Sequence, residues 1–124
     1  MDKRLRYFEE HLQNKKTTAS VTLKPSILLD IDNTALVYQK DGSAQEHPRL
    51  QELIKKYRVI LYSAREDVEF FAKQWNVPYI WKGYDDLFPE ADFLVDDQYE
   101  EYLPLVTVKK SYSSINTFFA AQKK

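Results

Sequence analysis

Short, continuously apolar runs alternate along this chain with stretches in which apolar residues recur every three or four positions. The runs "SILLDI", "RVILYS", "VPYIW" and "ADFLV" predict four buried strands, and "LPLVTV" predicts a fifth. Between them, "HPRLQELIKKY" predicts a helix with Pro48 near its first turn and Leu50, Leu53, Ile54 and Tyr57 on one face. "SAREDVEFFAKQWN" predicts another, with Val68, Phe71 and Trp75 at helical spacing and Ser63 three residues before Glu66 in the spelling of a capping box. "SSINTFFAAQ" predicts a closing helix that buries Ile115, Phe118 and Phe119. Upstream, Leu5, Phe8 and Leu12 stand at helical spacing among Lys3, Arg4, Arg6, Lys15 and Lys16, which predicts an amphipathic helix with a solvated basic face.

Strands that are apolar throughout and alternate with helices belong to a parallel sheet covered on both faces. The expected fold class is therefore α/β, a Rossmann-like three-layer sandwich around about five parallel strands. At 124 residues the chain has the length of one domain, with residues 1–24 forming an amino-terminal helix and lead-in and 25–124 the core.

Composition narrows the chemistry. The chain has no cysteine, which removes disulfides, thiolate metal sites and cysteine nucleophiles together. Its two histidines, His11 and His47, lack metal-ligand spacing, and with Gly42 and Gly83 as the only glycines no glycine-rich phosphate loop can be written. A net charge of −1 argues against nucleic-acid binding driven by bulk charge. No apolar run approaches a membrane span and "MDKRLRYFEE" carries no signal-peptide segment, so the expectation is a cytoplasmic protein with no membrane partner. Carboxylates remain as the chemical tools.

Their positions are informative. In open α/β sheets, ligand sites gather beyond the carboxyl ends of the strands. Asp30 and Asp32 stand at that end of the first predicted strand, Ser63 ends the second, Lys82 follows the third, and Asp96 and Asp97 end the fourth. Carboxylates converging on one point raise each other's pKa unless a cation intervenes, and oxygen donors of this kind suit Mg²⁺. Asp30 could then stay ionised and attack phosphorus, forming an aspartyl-phosphate. Asp32 could turn back to protonate the leaving oxygen and deprotonate the hydrolytic water. Ser63 and nearby amides would hold phosphoryl oxygens, with Lys82 neutralising nucleophile and transferring group.

The segment "DIDNT" after an aliphatic strand resembles the first motif of the haloacid dehalogenase-like hydrolases, the family of aspartate-nucleophile phosphatases. Ser63 is similar to its second motif, Lys82 to its third, and "ADFLVDD" to its fourth, in the same order over roughly Ile27 to Val108. The resemblance implies a central sheet of order 5-4-1-2-3, Asp30 as nucleophile and Asp32 as acid and base. It also implies Mg²⁺ held by Asp30, the carbonyl of Asp32, and Asp96 or Asp97, with Thr34 orienting the motif loop. Ser63, Ala64, Arg65 and Lys82 would face the substrate phosphate. "ALVYQKDGSAQEHP" leaves room only for a flap hairpin turning at Asp41-Gly42, so the chain resembles capless members. Such a site is open unless a second subunit or the amino-terminal segment covers it, and it suits phosphoproteins, nucleic-acid ends or nucleotides.

Plainer readings exist for each feature. Strand-end acids cap turns, and Ser63 can be only a helix cap. Lys82 can be a surface lysine and Arg65 an exposed first-turn residue. His47 before Pro48 reads as a loop residue, and Asp85-Asp86, which follow Gly83, read as turn caps. Tyr38, Tyr62, Tyr84, Tyr99 and Tyr102 could stack a base but suit core edges as well. Two functions of other classes are a phospho-receiver signalling module and a catalytically silent binding domain. A receiver places its acidic pair early and its phosphorylated Asp later, opposite to the order here, and a retired site would carry a broken motif.

Overall fold

The computed structural model describes residues 24–82 and 89–123. In it, β1 (Ser26–Leu29), β4 (Arg58–Ser63), β5 (Tyr79–Trp81), β6 (Phe93–Val95) and β7 (Lys110–Tyr112) form one sheet in the order β5-β4-β1-β6-β7. Every neighbouring pair in it is parallel. A separate antiparallel hairpin joins β2 (Leu36–Tyr38) to β3 (Ala44–Glu46). Counted over the seven strands of the described residues, this order differs from 5-4-1-2-3, because the hairpin takes the second and third numbers. With the hairpin left out, the sheet runs third, second, first, fourth, fifth from edge to edge.

The apolar runs explain why β1 is central. Its side chains alternate between faces, and all four of its residues are buried. Ile27 and Leu29 join a large core with Leu50 and Leu53 of α1 (Leu50–Lys56), Ala72 and Trp75 of α2 (Val68–Trp75), and Ile115 and Phe118 of α4 (Ile115–Gln122). Leu28 points the other way, with Ile60, Tyr62, Ile80 and Leu94, under Tyr99 and Tyr102 of the short α3 (Tyr99–Tyr102) and under Val106 and Val108. Phe118 is the aromatic hub of the larger core, with Tyr57, Phe93 and Tyr112 at 5.0, 5.1 and 5.3 Å between ring centroids. Each such edge-to-face pair adds about 1 kcal/mol beyond its buried area.

Two local expectations are corrected. "LPLVTV" is not the fifth strand: Leu103–Leu105 is a 3-10 turn with Pro104 at its start, and the edge strand is Lys110–Tyr112. The apolar demand of the segment is met by packing, since Val106 and Val108 cover the second face of the sheet. The capping box from Ser63 to Glu66 does not form, because α2 starts at Val68 behind Asp67 and Ser63 stays in the strand. By contrast Ser114 does cap α4, accepting a 3.0 Å bond from the Thr117 amide. The amino-terminal helix and the Asp85-Asp86 pair lie outside the described residues.

Candidate active site

Each of the three innermost site residues stands one position past its strand and is fixed by a further backbone bond to the strand beside it. The amide of Asp30 donates to Val95 O at 3.0 Å, that of Lys82 to Ser63 O at 2.9 Å, and that of Asp96 to Tyr112 O at 3.0 Å. The parallel ladder thus continues for one residue beyond the apolar runs and delivers the side chains of Asp30, Lys82 and Asp96 to one rim. Lys82 Nζ lies 3.1 Å from Asp30 Oδ1 and 2.7 Å from Asp96 Oδ2, and it sits 4.0 Å above the Tyr102 ring centroid. The Lys82 side chain is 6% exposed and that of Asp96 1%.

Burial pushes the Asp30 carboxyl up to about 7 against the pull of the Lys82 ammonium, with Asp96 and Asp97 pushing the same way. Burial also works to lower the Lys82 ammonium, but Asp30 and Asp96 outweigh it and carry its pKa above the ordinary lysine value. Asp30, Asp96 and Asp97 each offer a carboxylate oxygen, all within 4.8 Å of one another. Three carboxylates face one ammonium, an excess of negative charge that favours a further cation. Asp96 Oδ1 accepts a 2.8 Å bond from the Gln98 amide, and the buried Oδ2 has the Lys82 ammonium at 2.7 Å. A hard dication bound by oxygens fits this donor set.

Asp32 stands apart from that cluster. The loop after β1 turns sharply: Ile31 O accepts from the amides of Thr34 at 3.2 Å and Leu36 at 2.8 Å, and Asn33 takes the left-handed conformation at φ 61°. The turn feeds the hairpin, so Tyr38 comes back over the rim and its hydroxyl donates to Asp32 Oδ1 at 2.6 Å. Arg65, just past β4, donates from Nη1 to the same oxygen at 2.6 Å and to the Tyr38 hydroxyl at 3.0 Å. Its remaining nitrogens grip Asp67 at 2.7 and 2.9 Å, which holds the Asp67 carboxyl below its usual range. The Asp32 bond pushes the Tyr38 phenol upward.

Ser63 is buried at the end of β4 with its Oγ accepting from the Arg65 amide at 3.2 Å, and Ala64 is exposed beside it. Thr34 is buried and its Oγ1 has no hydrogen-bond partner. His47 is a buried loop residue whose Nδ1 accepts from the Arg49 amide at 3.0 Å, and burial lowers its pKa. The residue that sequence reasoning placed least well is Tyr38, read as a core-edge or stacking ring and found on the Asp32 carboxylate. Its position on a three-residue strand, six residues after Asp32, carried no such signal.

The chain was compared with protein-family models, curated proteins and solved structures, and none of them matches it. Among the described residues no helix is long and apolar enough to cross a membrane.

Proposed function

We propose that this protein is a Mg²⁺-dependent phosphomonoester hydrolase that works through a phospho-aspartate on Asp30. The observation that carries the reading is the convergence of Asp30, Lys82, Asp96 and Asp97 at the carboxyl ends of parallel strands, three carboxylates around one ammonium. The order of the five parallel strands, counted without the hairpin, supports the resemblance to the haloacid dehalogenase-like hydrolases. So does the absence of room for a cap: a hairpin of two three-residue strands is all that separates β1 from α1.

Mg²⁺ held by Asp30, the carbonyl of Asp32, and Asp96 or Asp97 would keep Asp30 ionised and draw charge from the phosphoryl oxygens. An Asp30 oxygen attacks phosphorus in line with the ester oxygen, which leaves and takes its proton from Asp32. Water then attacks the acyl phosphate and gives its proton to Asp32, releasing phosphate and regenerating Asp30. Lys82 stabilises the charge that builds on the equatorial oxygens, helped by Ser63 and by the Ala64 amide. Arg65 and Tyr38 hold the Asp32 carboxylate in one orientation between these steps.

The test is hydrolysis of para-nitrophenyl phosphate with and without Mg²⁺, by the native chain and by Asp30→Asn. Magnesium-dependent turnover lost in the variant is the expected result. A folded chain that binds Mg²⁺ and turns over nothing, or that accumulates a stable phospho-aspartate, would overturn the hydrolase reading in favour of a binding domain or a receiver respectively.

A further inference from the structure

Between the β2–β3 hairpin and α2 lies a groove of about 430 Å³, lined by Leu36, Tyr38, Glu46, Arg65, Phe71 and Trp75 among others. That is the size of a small-molecule site. It opens beside Asp32, because the two residues that hold Asp32 Oδ1, Tyr38 and Arg65, are also part of its wall. If Asp32 delivers the proton to the leaving oxygen, the group that oxygen carries lies on this side of the site.

The lining suits a flat ring. Phe71, half-buried, packs on Trp75 with 5.1 Å between ring centroids and 36° between planes, and Tyr38 is 41% exposed on the hairpin side. The Arg65 guanidinium lies 5.1 Å from the Phe71 ring centroid, a second delocalised plane in the same wall. Trp75, 6% exposed, belongs to the core against which Phe71 packs. Glu46 and Gln74 add a carboxylate and an amide at the edges. A serine ester offers such a surface only a short aliphatic stem. A nucleobase offers a π-face to the Tyr38 and Phe71 rings and polar edges to Glu46 and Gln74.

We infer that this groove is the leaving-group subsite and that its occupant is the base of a nucleoside phosphate, either free or at the end of a strand. The inference rests on the proposed role of Asp32 and narrows the substrate to nucleotides and nucleic-acid ends over phosphoproteins.

The experiment is calorimetric titration of the Asp30→Asn chain, which binds without turning over. The probes are adenosine 3′- and 5′-monophosphates, a 3′-phosphorylated trinucleotide, a phosphoserine peptide and inorganic phosphate. Phe71→Leu is expected to weaken nucleotide binding about tenfold, the scale of one base–aromatic stack. Inorganic phosphate, which reads only the rim, should change less than about twofold with that substitution. A trinucleotide that outbinds the mononucleotides assigns a strand end, and equal affinities assign a free nucleotide; either supports the subsite. Nucleotide affinity untouched by Phe71→Leu, no nucleotide binding at all, or equal weakening of the phosphoserine peptide overturns it. Because the readout is binding by a chain that cannot turn over, failed hydrolysis by the native chain would sink the phosphatase reading while leaving this result to stand or fall by itself.

Discussion

Lys82 Nζ stands 3.1 Å from Asp30 Oδ1, although the two residues are 52 positions apart in the chain. The same ammonium reaches Asp96, so one cation offsets carboxylates from two strand ends. Removing one partner from a buried ion group strands the others without compensation and costs about 3 kcal/mol or more. Lys82→Met should therefore lower the urea midpoint sharply at pH 8 in a chelating buffer. Added Mg²⁺ should restore part of the loss, since a dication can take over the neutralisation. A midpoint unchanged from the native chain would mean that the carboxylates do not depend on this lysine.

Asp30 supplies a pH dependence of definite sign. Its folded pKa of about 7 stands above the ordinary 3.8. Between those values the folded chain keeps a proton that the unfolded chain has released. Its contribution is thus fully present below about pH 4 and is lost as pH rises through about 7. Asn mimics the protonated form, so without metal the stability of Asp30→Asn relative to the native chain should improve from pH 5 to pH 8. Denaturant melts at both values measure it, and a difference that stays flat with pH would refute the buried, raised carboxyl.

What the sequence disclosed and what it withheld have physical causes. Ile27, Leu28 and Leu29 are apolar because both faces of β1 are buried, and such a run must end in polar residues where the sheet meets its rim. For that reason Asp30, Ser63, Lys82 and Asp96 were legible. Lys110–Tyr112 was not, because an edge strand with one exposed and two half-buried residues needs no apolar run. "LPLVTV" carries the stronger signal, yet its Val106 and Val108 cover the sheet while Leu103 stays exposed. The grip on Asp32 was invisible for another reason. Tyr38 and Arg65 are 27 positions apart and meet only after the hairpin folds over the end of β4.

That grip also ties the hairpin to the rest of the protein. Val37, Tyr38 and all of β3 are exposed, so little burial holds the hairpin down beyond Leu36 and a 2.8 Å bond from the His47 amide to Ala35 O. The Tyr38 hydroxyl, bonded to both Asp32 and Arg65, is its polar anchor. Tyr38→Phe keeps the ring and removes the anchor. Hydrogen exchange at the Gln39 and Gly42 amides, which donate to Ser43 O and Gln39 O, should speed up by several-fold, while amides of β1 and β4 keep their native rates. Unchanged exchange in the hairpin would show that backbone pairing alone secures it.

Asn33 offers the sharpest test of the loop that links β1 to the hairpin. Its side chain is exposed, so substitution removes no core contact, but its φ of 61° lies where a β-branched residue is strained. Glycine adopts that conformation freely, and asparagine tolerates it better than most residues. Asn33→Gly should leave the urea midpoint almost unchanged, whereas Asn33→Val should cost about 2 kcal/mol. The activity consequence follows from position: Asn33 separates Asp32 from Thr34, and its backbone sets where the Asp32 carboxylate meets Tyr38 and Arg65. Under the proposed mechanism, Asn33→Val should reduce kcat on para-nitrophenyl phosphate more than it raises KM, because it displaces the acid without touching the phosphate-binding rim. Val and Gly variants of equal stability and equal turnover would show that the left-handed turn is not needed to aim Asp32.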